Sequence, residues 1–388
     1  MSVRKHRWVT KNGEEREAWL ADFSDGAGVR HVKFFKTKAA AKAHCEKVGV
    51  DKRAGIYTAP TKITVKQAAE DWIRFVKGEK REAATIAEYR NLVDRHIVPR
   101  LGATKLSSLT HARVQKFRDE LLDRDNGGVV SRRLARRVLG GLKAILKDAR
   151  RRGNVAQNVA LDVNVELSKR DRAKLKIGVD VPTAEEIGRV LRAAPDGRAR
   201  ALIMVAAFAG LRASELRGLR WQDVDLRTDR AVVHVRQRAD RYNKIGRPKS
   251  EAGERAVPMP NLVANTLRQW QLESTHKRDE DFVFGTRNGK SDVLSNIVRR
   301  AWLPAQIKAS VVDANGKAKY GGLHCLRHFF ASWCINRRKD GGLELPIKVV
   351  QTRLGHSSIV MTSDRYGHLF PSDDRAELDE AVASIYAT

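Results

Sequence analysis

The segment ALIMVAAFAG, residues 201–210, strongly constrains the fold, because it contains no charged or polar side chain. It is too short to cross a bilayer, which takes about 20 apolar residues, so it predicts a helix buried in a protein core. Gly210 ends this helix, and the residues SEL at 214–216 begin the next one. Arg212 therefore lies at a helix start, where backbone N–H groups and the helix dipole favour an anion.

The chain from Pro182 onward is predicted to be a mixed α/β unit in which helices dominate. Thr183, with Glu186 three residues later, has the pattern of a capping box at a helix start. Two strand-like segments, AVVHVRQRA and ERAVPMP, flank a polar hairpin tip over residues 244–253. The rest of this unit has helical character.

The region of residues 62–165 is predicted to be all-helical. Thr64 with Gln67 forms another capping-box pattern ahead of its first helix. A second helix is expected to start at Thr85 and to stop at Pro99, and a third is expected to follow Thr110. Residues 164–181 are basic and lack clear apolar periodicity, which is typical of a linker.

A fourth helix, over residues 131–152, has one apolar and one strongly basic face. Its apolar residues recur at steps of three and four, which predicts one buried side. The other side carries nine lysines and arginines against a single acid, Asp148, too few acids for ordinary pairing along the helix. We interpret this face as a contact to DNA phosphates, with a merely solvated face as the alternative. The expected DNA-binding residues are Arg132, Arg133, Arg136, Arg137, Lys143 and Arg151.

Residues 1–57 predict a three-stranded sheet followed by one helix. The strand segments are 7–10, 18–23 and 29–35, separated by turn signals at Asn12-Gly13 and at residues 24–26. The alanine-rich segment KTKAAAKAHCEKV predicts the helix. A small basic sheet can lie in a DNA groove. A solubilising or protein-binding module is the alternative interpretation.

The charge balance points to a polyanionic partner. Lysine and arginine total 75 against 46 acidic residues, which gives a net charge of +29 and a pI of about 10.4. Nucleic acid is the leading candidate, whereas a membrane surface is less favoured because the charge is spread along the chain. The three cysteines, Cys45, Cys325 and Cys334, have no metal-binding spacing and are expected to be reduced thiols. Without a signal peptide or membrane-spanning segment, we expect a cytoplasmic, nucleoid-associated protein.

Six residues suited to phosphodiester chemistry follow one another in the C-terminal half, each in its own motif. Guanidinium groups bind phosphate oxygens through two hydrogen bonds. A phenol, with a pKa of about 10, is a weak nucleophile at neutral pH and needs cations and a base beside it. The set therefore predicts phosphodiester cleavage by a tyrosyl nucleophile. The motifs are AGLRASELRGLRW, GRPKS, GLHCLRH, LGHSS and MTSDRYGH, and the residues are Arg212, Lys249, His324, Arg327, His356 and Tyr366.

Two further residues are expected to support this set. Glu215, three residues after Arg212, is placed to pair with its guanidinium and to fix its rotamer. In a helix His328 would share one face with His324 and Arg327, and we interpret it as a structural histidine. Two histidines four residues apart also suit zinc, but no acidic third ligand accompanies them, so no metal is expected.

These motifs resemble those of the tyrosine recombinase family, the phage-type integrases. The resemblance is strong over residues 180–371 and weaker over 1–165. It implies an arm-type DNA-binding domain (1–57), a helical, SAM-like core-binding domain (62–165) and a catalytic domain (180–388). The expected fold is therefore multidomain and mainly α, with small β-sheets.

The resemblance also implies a role for each residue. Arg212 and Arg327 would clamp the scissile phosphate, and Glu215 matches the family's supporting acid. Lys249 would protonate the 5′-oxygen, with Lys244 as the alternative lysine on the same hairpin. His324 would accept or shuttle the tyrosine proton, His356 would assist the phosphate, and Tyr366 would attack it.

The implied reaction is site-specific DNA recombination through a 3′-phosphotyrosine, which integrates or excises a mobile element. One phosphodiester replaces another, so no ATP is needed, and the sequence has no GxxxxGK[ST] loop. No cofactor is expected. The implied partners are double-stranded DNA attachment sites, further copies of the chain in a homotetramer on DNA, and DNA-bending and excision-directionality factors. The tail RAELDEAVASIYAT has one apolar helical face, which is expected to dock on a neighbouring protomer or, alternatively, on its own domain.

Three rival functions remain open from the sequence. A type IB topoisomerase uses the same chemistry but relaxes supercoils without a partner site, and a relaxation assay separates the two. A non-catalytic DNA-binding regulator would have lost part of the six-residue set. A zinc hydrolase built on His324 and His328 would be inhibited by chelators.

Overall fold

The computed structural model describes residues 1–24, 28–55, 57, 61–123, 131–168, 174–227 and 230–370. The chain divides into two compact units, Met1–Ala173 and Lys174–Thr388. Their boundary falls inside the segment that the sequence predicts as a linker. The three-domain division into 1–57, 62–165 and 180–388 remains a proposal. In the described ranges, no helix combines the length and the apolar character that crossing a bilayer requires.

The first unit begins with the predicted three-stranded sheet and helix. The sheet is antiparallel with β2 in its centre, and Thr37 caps the following helix by accepting a hydrogen bond from the amide of Ala40. β1 starts at Ser2 rather than at Arg7, because its whole length pairs with β2. The elements are β1 (Ser2–Val9), β2 (Glu15–Ser24), β3 (Arg30–Phe35) and α1 (Lys38–Arg53).

The two faces of this sheet differ in what covers them. One face packs on α1 and buries Ala21 with Ala41 and Cys45. On the other face the rings of His6, Trp8 and Phe34 form a cluster with centroids 5.5 to 6.0 Å apart. Trp8 and Phe34 are 40% and 52% exposed. The sheet thus presents an aromatic surface on the side that α1 leaves open.

Five α-helices follow in the described residues of the first unit, and the caps predicted at Thr64 and Thr110 are present. Thr64 and Gln67 form the capping box, with the Gln67 amide donating to Thr64 Oγ1 at 3.3 Å and the Thr64 amide donating to Gln67 Oε1 at 2.9 Å. Thr110 and Ser131 cap the fourth and fifth of these helices. The helices are α2 (Val65–Gly78), α3 (Ala83–Leu92), α4 (Val98–Leu101), α5 (His111–Leu122) and α6 (Arg132–Arg151).

The prediction that a helix starts at Thr85 and stops at Pro99 is wrong at both ends. α3 starts at Ala83 with Glu82 as its N-cap residue. After α3 a π-helical turn, Val93–Ile97, leads directly into α4, which has Pro99 in its first turn. Proline is tolerated there, because the N–H groups of a first turn have no partner within their own helix.

The basic helix α6 supplies the core of the helical region, as its apolar periodicity predicts. Val138, Leu142 and Ile145 are fully buried and belong to the same core as Phe117 and Ile73. Most of its lysines and arginines lie on the exposed side. The amphipathic interpretation of residues 131–152 is therefore confirmed.

The second unit contains nine labelled helices in its described residues. Thr183 and Glu186 form the predicted capping box at the first of them. A π-helical turn, Val298–Trp302, joins the fifth and sixth. The helices are α7 (Ala184–Arg192), α8 (Gly197–Phe208), α9 (Ala213–Gly218), α10 (Asn261–Glu273), α11 (Leu294–Ile297), α12 (Leu303–Lys308), α13 (His324–Ile335), α14 (Ile347–Leu354) and α15 (Ile359–Tyr366).

In the described part of the second unit, five short strands make two small antiparallel sheets, β4-β5-β8 and β6-β7. The predicted strand over 231–239 is interrupted at Gln237, whose side chain donates to the carbonyl of Gly218 at 2.6 Å. β6 and β7 form a hairpin whose tip is residues 240–244. Lys249 lies beyond that hairpin, on the way to β8. The strands are β4 (Val224–Asp225), β5 (Val232–Val235), β6 (Arg238–Ala239), β7 (Ile245–Gly246) and β8 (Arg255–Pro258).

Helix α8 is the buried helix that the segment ALIMVAAFAG predicts. Ala201, Leu202, Ile203 and Val205 are all 0% exposed, and α8 packs against α10 and α13. The helix thus anchors the start of α9 on one side and α13 on the other, and both of these carry candidate site residues. The predicted C-terminal helix over 375–388 lies outside the described residues.

Candidate active site

Arg212 is the N-cap residue of α9, and its side chain is held on two sides. Nη1 donates to Glu215 Oε1 at 2.7 Å, and Nη2 donates to the carbonyl of Gly355 at 2.9 Å. The Arg212 amide donates to the other carboxylate oxygen of Glu215 at 2.9 Å. The side chain is 36% exposed, so the guanidinium is positioned by the protein and still open to a ligand.

Arg327 lies on α13 and is 2% exposed. Nη1 donates to the carbonyl of Gly210 at 2.7 Å, and Nη2 donates to the carbonyl of Leu354. Burial lowers the pKa of Arg327 to about 9, and the nearby charge of Arg212 acts in the same direction. The guanidinium stays protonated at pH 7, and both of these hydrogen bonds go to backbone carbonyls, so a buried positive charge faces the site. Such a charge is stabilised when an anion binds beside it.

Two glycines allow the backbone carbonyls to reach these arginines. Gly210 has φ +60°, and a Cβ there would lie 2.2 Å from Cδ1 of Phe330. Gly355 has φ +65°, and a Cβ there would lie 2.8 Å from the carbonyl oxygen of Ala252. The glycines of the AGLR and LGH motifs are therefore required both for backbone conformation and for close packing.

Arg255 on β8 is a part of the site that the sequence analysis missed. Nη2 donates to Glu215 Oε2 at 2.9 Å, Nε donates to the carbonyl of Arg353 at 2.7 Å, and the side chain is 3% exposed. It thus joins the start of α9 to the end of α14. A signal was present in the sequence: the two-residue period of the strand places Arg255 on the same side as the buried Val257.

Glu215 is the shared acceptor between two guanidinium groups. Burial alone would raise the pKa of its carboxyl group, but the charges and hydrogen bonds of Arg255 and Arg212 hold that pKa below its ordinary value. Glu215 is 2% exposed. It is therefore an ionised carboxylate that fixes Arg212 in place, which is the pairing that the sequence predicts.

Tyr366 is the last residue of α15 and is 1% exposed. Its hydroxyl lies 2.7 Å from Nδ1 of His328. Burial raises the pKa of the phenol, whereas the positive charges of Arg327, Arg365 and Arg212 act in the opposite direction. The phenol and both arginines of the predicted clamp therefore belong to one electrostatic cluster within a single chain.

The structure and the sequence expectation differ about which histidine contacts the phenol. The resemblance implies His324 as the partner of Tyr366, but the hydroxyl is bonded to His328, one helical turn further into the core. His328 is 6% exposed, and its ring packs edge-on against His324 at 4.5 Å. Burial lowers the pKa of His328 to about 3, with His324 and Arg365 adding to the effect. His328 is thus a neutral imidazole in contact with the phenol.

His324 begins α13 and is exposed at the surface of the site. The surrounding protein, followed by the charges of Arg327, Arg365 and Arg212, lowers the pKa of His324 below its usual value. A neutral imidazole at the solvent side of the site can accept a proton. Both ring nitrogens of His328 have other neighbours, Tyr366 and Arg365, so the pair is not arranged as two ligands of one zinc ion.

His356 follows Gly355 and lies flat against the tyrosine. Its ring is nearly parallel to that of Tyr366, at 3° with centroids 6.3 Å apart. Nδ1 lies 2.9 Å from Oγ1 of Thr362. Partial burial, together with the charges of Arg327 and Arg212, lowers the pKa of His356 to about 4. His356 is therefore neutral at pH 7 and held by α15.

Lys249 is exposed between β7 and the turn Glu251–Gly253, and it does not belong to the buried cluster. The hairpin before it is anchored by Arg217, which donates to the carbonyls of Asp240 (3.0 Å) and Asp292 (2.6 Å). A lysine on an exposed segment beside the site can reach a bound ligand. Its role and that of Lys244 remain predictions.

The matches to known families divide along the same lines as the fold. Residues 181–372 match the "Phage integrase family", and residues 64–122 match "Phage integrase, N-terminal SAM-like domain". A tyrosine recombinase XerC from Xanthomonas campestris pv. campestris is 30% identical over 269 residues, which are 69% of this chain and 72% of that protein. The chain belongs to the phage integrase family of tyrosine recombinases.

A second relative and two solved structures extend the likeness. An integrase from Streptomyces ambofaciens is 29% identical over 372 residues, covering 91% of this chain and 90% of that protein. The Tn1549 transposon integrase, solved with a circular intermediate DNA, has a TM-score of 0.61 at 20% identity and covers 82% of this chain and 100% of that one. The lambda integrase tetramer, solved on a Holliday junction, has a TM-score of 0.56 at 14% identity over 91% of this chain and 95% of that one. These structures share the fold of this recombinase.

Proposed function

We propose that this recombinase is an integrase that cuts and rejoins DNA at specific sites through a 3′-phosphotyrosine, so that it integrates or excises a mobile element. One observation carries the proposal: Tyr366 lies in the same electrostatic cluster as Arg212 and Arg327, and all three come from one chain. A nucleophile and two phosphate-binding cations in one subunit are what a cleavage in cis requires.

In the proposed cleavage, the phenolic oxygen of Tyr366 attacks the scissile phosphorus, and the bond from phosphorus to the 5′-oxygen breaks. Arg212 and Arg327 neutralise the charge that builds up on the non-bridging oxygens, and His356 donates to one of them. The phenolic proton passes to His324, and Lys249 gives a proton to the departing 5′-oxygen. In the second step, a 5′-hydroxyl from the partner strand attacks the phosphotyrosine and releases Tyr366.

The proposal needs no external energy source, because each step exchanges one phosphodiester for another. It needs no metal either, if the two guanidinium groups and the ammonium of Lys249 supply the positive charge. Titration of activity against a chelator tests the second point. Loss of cleavage after chelation would contradict this point and would support a zinc site at His324 and His328.

The proposed contacts to core DNA lie on the exposed side of α6. Arg136, Lys147 and Arg150 follow one another at helical spacing and, among the described residues, make no ion pair. Five of the six predicted DNA contacts, Arg133 among them, have a partner within the protein, which DNA phosphates would have to replace. Four of these pairs can be named. These pairs are Arg132 with the Glu166 carbonyl, Arg137 with Glu88, Lys143 with Asn164 and Arg151 with Asp148.

The proposed second DNA contact is the open face of the N-terminal sheet. The aromatic cluster of His6, Trp8 and Phe34 lies on the face that also carries Arg4 and Arg16. Apolar rings can touch thymine methyl groups while arginines bind phosphates or guanine edges. This combination favours an arm-type DNA-binding role over a solubilising role.

The proposed assembly is a homotetramer on paired attachment sites, aided by DNA-bending and excision-directionality factors. Its place of action is the cytoplasm, on the nucleoid. The chain's positive charge supports DNA as the partner that brings the protomers together. The proposed docking of the C-terminal tail on a neighbouring protomer is tested by deletion of residues 375–388 followed by measurement of tetramer formation on DNA.

The deciding experiment uses DNA from the flanks of the mobile element that encodes the protein, nicked so that the cleaved strand diffuses away. Wild-type protein is expected to form a covalent adduct, and Tyr366→Phe is expected to form none. An adduct with the phenylalanine variant would refute the nucleophile assignment. Relaxation of supercoiled plasmid that lacks these flanks would instead favour a type IB topoisomerase.

A further inference from the structure

The hydrogen bond between Tyr366 and His328 has a direction that the surroundings determine. The phenolic oxygen lies 2.7 Å from Nδ1 of His328. The other ring nitrogen, Nε2, lies 3.3 Å from Nη2 of Arg365. Tyr366 and His328 are 1% and 6% exposed. Both ring nitrogens of His328 therefore form hydrogen bonds within the protein rather than with bulk water.

The chemistry of the guanidinium decides which nitrogen carries hydrogen. Arginine has N–H donors and no acceptor, and a neutral imidazole has one donor and one acceptor. Nε2 of His328 must therefore accept from Arg365, which leaves the proton on Nδ1. Nδ1–H then donates to the phenolic oxygen of Tyr366.

We infer that Arg365 fixes His328 as the tautomer protonated at Nδ1, and that His328 is a catalytic residue which donates a hydrogen bond to the nucleophilic oxygen of Tyr366. The catalytic part of this inference rests on the proposed function, whereas the tautomer does not. His328 thereby moves from a structural histidine to a group that touches a reacting atom, and Arg365 becomes its positioning residue.

A donor at this place works in favour of the phenolate. A hydrogen bond to an oxygen strengthens as negative charge develops on it, so Nδ1–H stabilises the deprotonated nucleophile more than the phenol. Burial of Tyr366 has the opposite effect on its pKa. The lowered pKa of His328, about 3, keeps the imidazole neutral at pH 7, so the donor adds no charge that would repel the arginines.

The inference also separates the two histidines of the HCLRH motif by task. An imidazole whose Nδ1 already carries hydrogen and whose Nε2 accepts from Arg365 has no free site for the phenolic proton. His324, exposed at the edge of the site, remains available as the acceptor. The charged and titratable groups that surround the phenol are Arg212 at the N-cap of α9, His324 and Arg327 on α13, His356 ahead of α15, and Arg365 on α15.

The first test observes the tautomer directly and needs no DNA. Full-length protein labelled with ¹⁵N in histidine is measured by NMR at pH 7, and His328 is assigned by comparison with His328→Asn. Protonation at Nδ1 is expected in the wild type and in Arg365→Lys, which keeps a donor. Arg365→Glu places an acceptor beside Nε2 and is expected to move the proton there. Protonation of wild-type His328 at Nε2 would overturn the inference, and an unchanged tautomer in Arg365→Glu would overturn the role of Arg365.

The second test compares two replacements of similar shape at residue 328. The amide nitrogen of His328→Asn can donate where Nδ1 did, whereas His328→Leu cannot. Single-turnover adduct formation is expected to fall about 10- to 100-fold in His328→Leu. The increase of its rate with pH, which follows deprotonation of the phenol, is expected to shift to higher pH. His328→Asn is expected to recover most of the rate and to restore the profile. Lys308→Gln, an exposed change on α12, serves as the control.

The two tests fail in different ways. If the wild type forms no adduct, the proposed function fails while the NMR result still decides the tautomer. If the wild type forms adduct and His328→Leu matches His328→Asn in rate and pH profile, the catalytic role is overturned while the proposed function stands. A common loss of melting temperature and DNA affinity in both variants would show a packing role and would also overturn it.

Discussion

Glu215 and Arg255 form a buried ion pair, with Oε2 of the acid 2.9 Å from Nη2 of the guanidinium and side chains 2% and 3% exposed. The same carboxylate accepts from Arg212 through its other oxygen at 2.7 Å. One acid therefore couples a buried arginine to a ligand-facing one. The pair connects the stability of the second unit to the geometry of its site.

Replacement of Arg255 by methionine is expected to destabilise the protein by about 3–5 kcal/mol, because it leaves the buried carboxylate with one partner. The change is measured by urea unfolding. Arg227→Met, which removes an exposed partner of Asp225, is the control and should cost less than about 1 kcal/mol. The double variant Arg255→Met/Glu215→Leu should regain much of the stability while its cleavage rate stays low, since Arg212 has lost its anchor. Full recovery of cleavage in the double variant would contradict this role.

Gly355→Ala should reduce both stability and cleavage. Its positive φ of +65° strains any side chain, and its Cβ would overlap the carbonyl oxygen of Ala252 at 2.8 Å. Displacement of the Gly355 carbonyl would also release Arg212, so a loss of about 100-fold in single-turnover rate is expected. Gly316→Ala has a similar φ of +73° but open space around it. The control therefore isolates backbone strain, and equal effects of the two variants would contradict the packing argument.

The free energy of unfolding should decrease as the pH falls from about 6.5 towards 4. The pKa of His328 is lowered to about 3 and that of His356 to about 4. Below pH 6.5 the unfolded chain therefore binds protons at these positions while the folded chain does not. Each group contributes at most about 1.4 kcal/mol per pH unit. Urea unfolding at several pH values should show a smaller slope in His328→Asn, and an identical slope would count against a neutral, buried His328.

Lys249→Ala should slow cleavage about 10²- to 10⁴-fold if this lysine protonates the leaving oxygen. A substrate with sulfur in place of the bridging 5′-oxygen should restore the rate, because a thiolate leaves without protonation. Lys244→Ala is the matched control on the neighbouring hairpin. Restoration in Lys244→Ala alone would transfer the acid role to that residue.

Removal of Arg136, Lys147 and Arg150 together should weaken DNA binding about equally for specific and unrelated sequences. Three lost phosphate contacts would reduce the slope of log affinity against log salt by about 2.7. Arg74→Ala is the comparison, because its guanidinium is already paired with Asp71 at 3.0 Å. An unchanged slope in the triple variant would place the DNA elsewhere.

Sequence reasoning was most reliable where a local rule decides the structure. The capping boxes at Thr64 and Thr183, and the helix boundary that puts Arg212 at the start of α9, depend on residues three or four positions apart. The order of the motifs was enough to suggest the family. The prediction at Pro99 was wrong because a π-helical turn changes the helical register before the proline. No local sequence pattern indicates that turn.

Tertiary partners account for the remaining differences. Arg255 belongs to the site because it pairs with Glu215, forty residues away on another element. The strand period of the segment ERAVPMP indicates that Arg255 points inward, but not which partner it meets. His324 and His328 lie one turn apart on the same face of α13, so the sequence alone does not distinguish them as partners of the phenol. The packing of α15 against α13 decides that the phenol contacts His328. Contacts of this kind depend on how elements meet, which periodicity does not specify.

The burial of Tyr366 has a consequence for the cell that carries this protein. Because the residue is 1% exposed, a DNA duplex that collides non-specifically with the unbound protein contacts arginines but not the reactive oxygen. Cleavage of a chromosome then requires an encounter that gives the scissile phosphate access to this buried oxygen. The burial of this one phenolic oxygen thus limits unwanted cleavage before any base sequence is recognised.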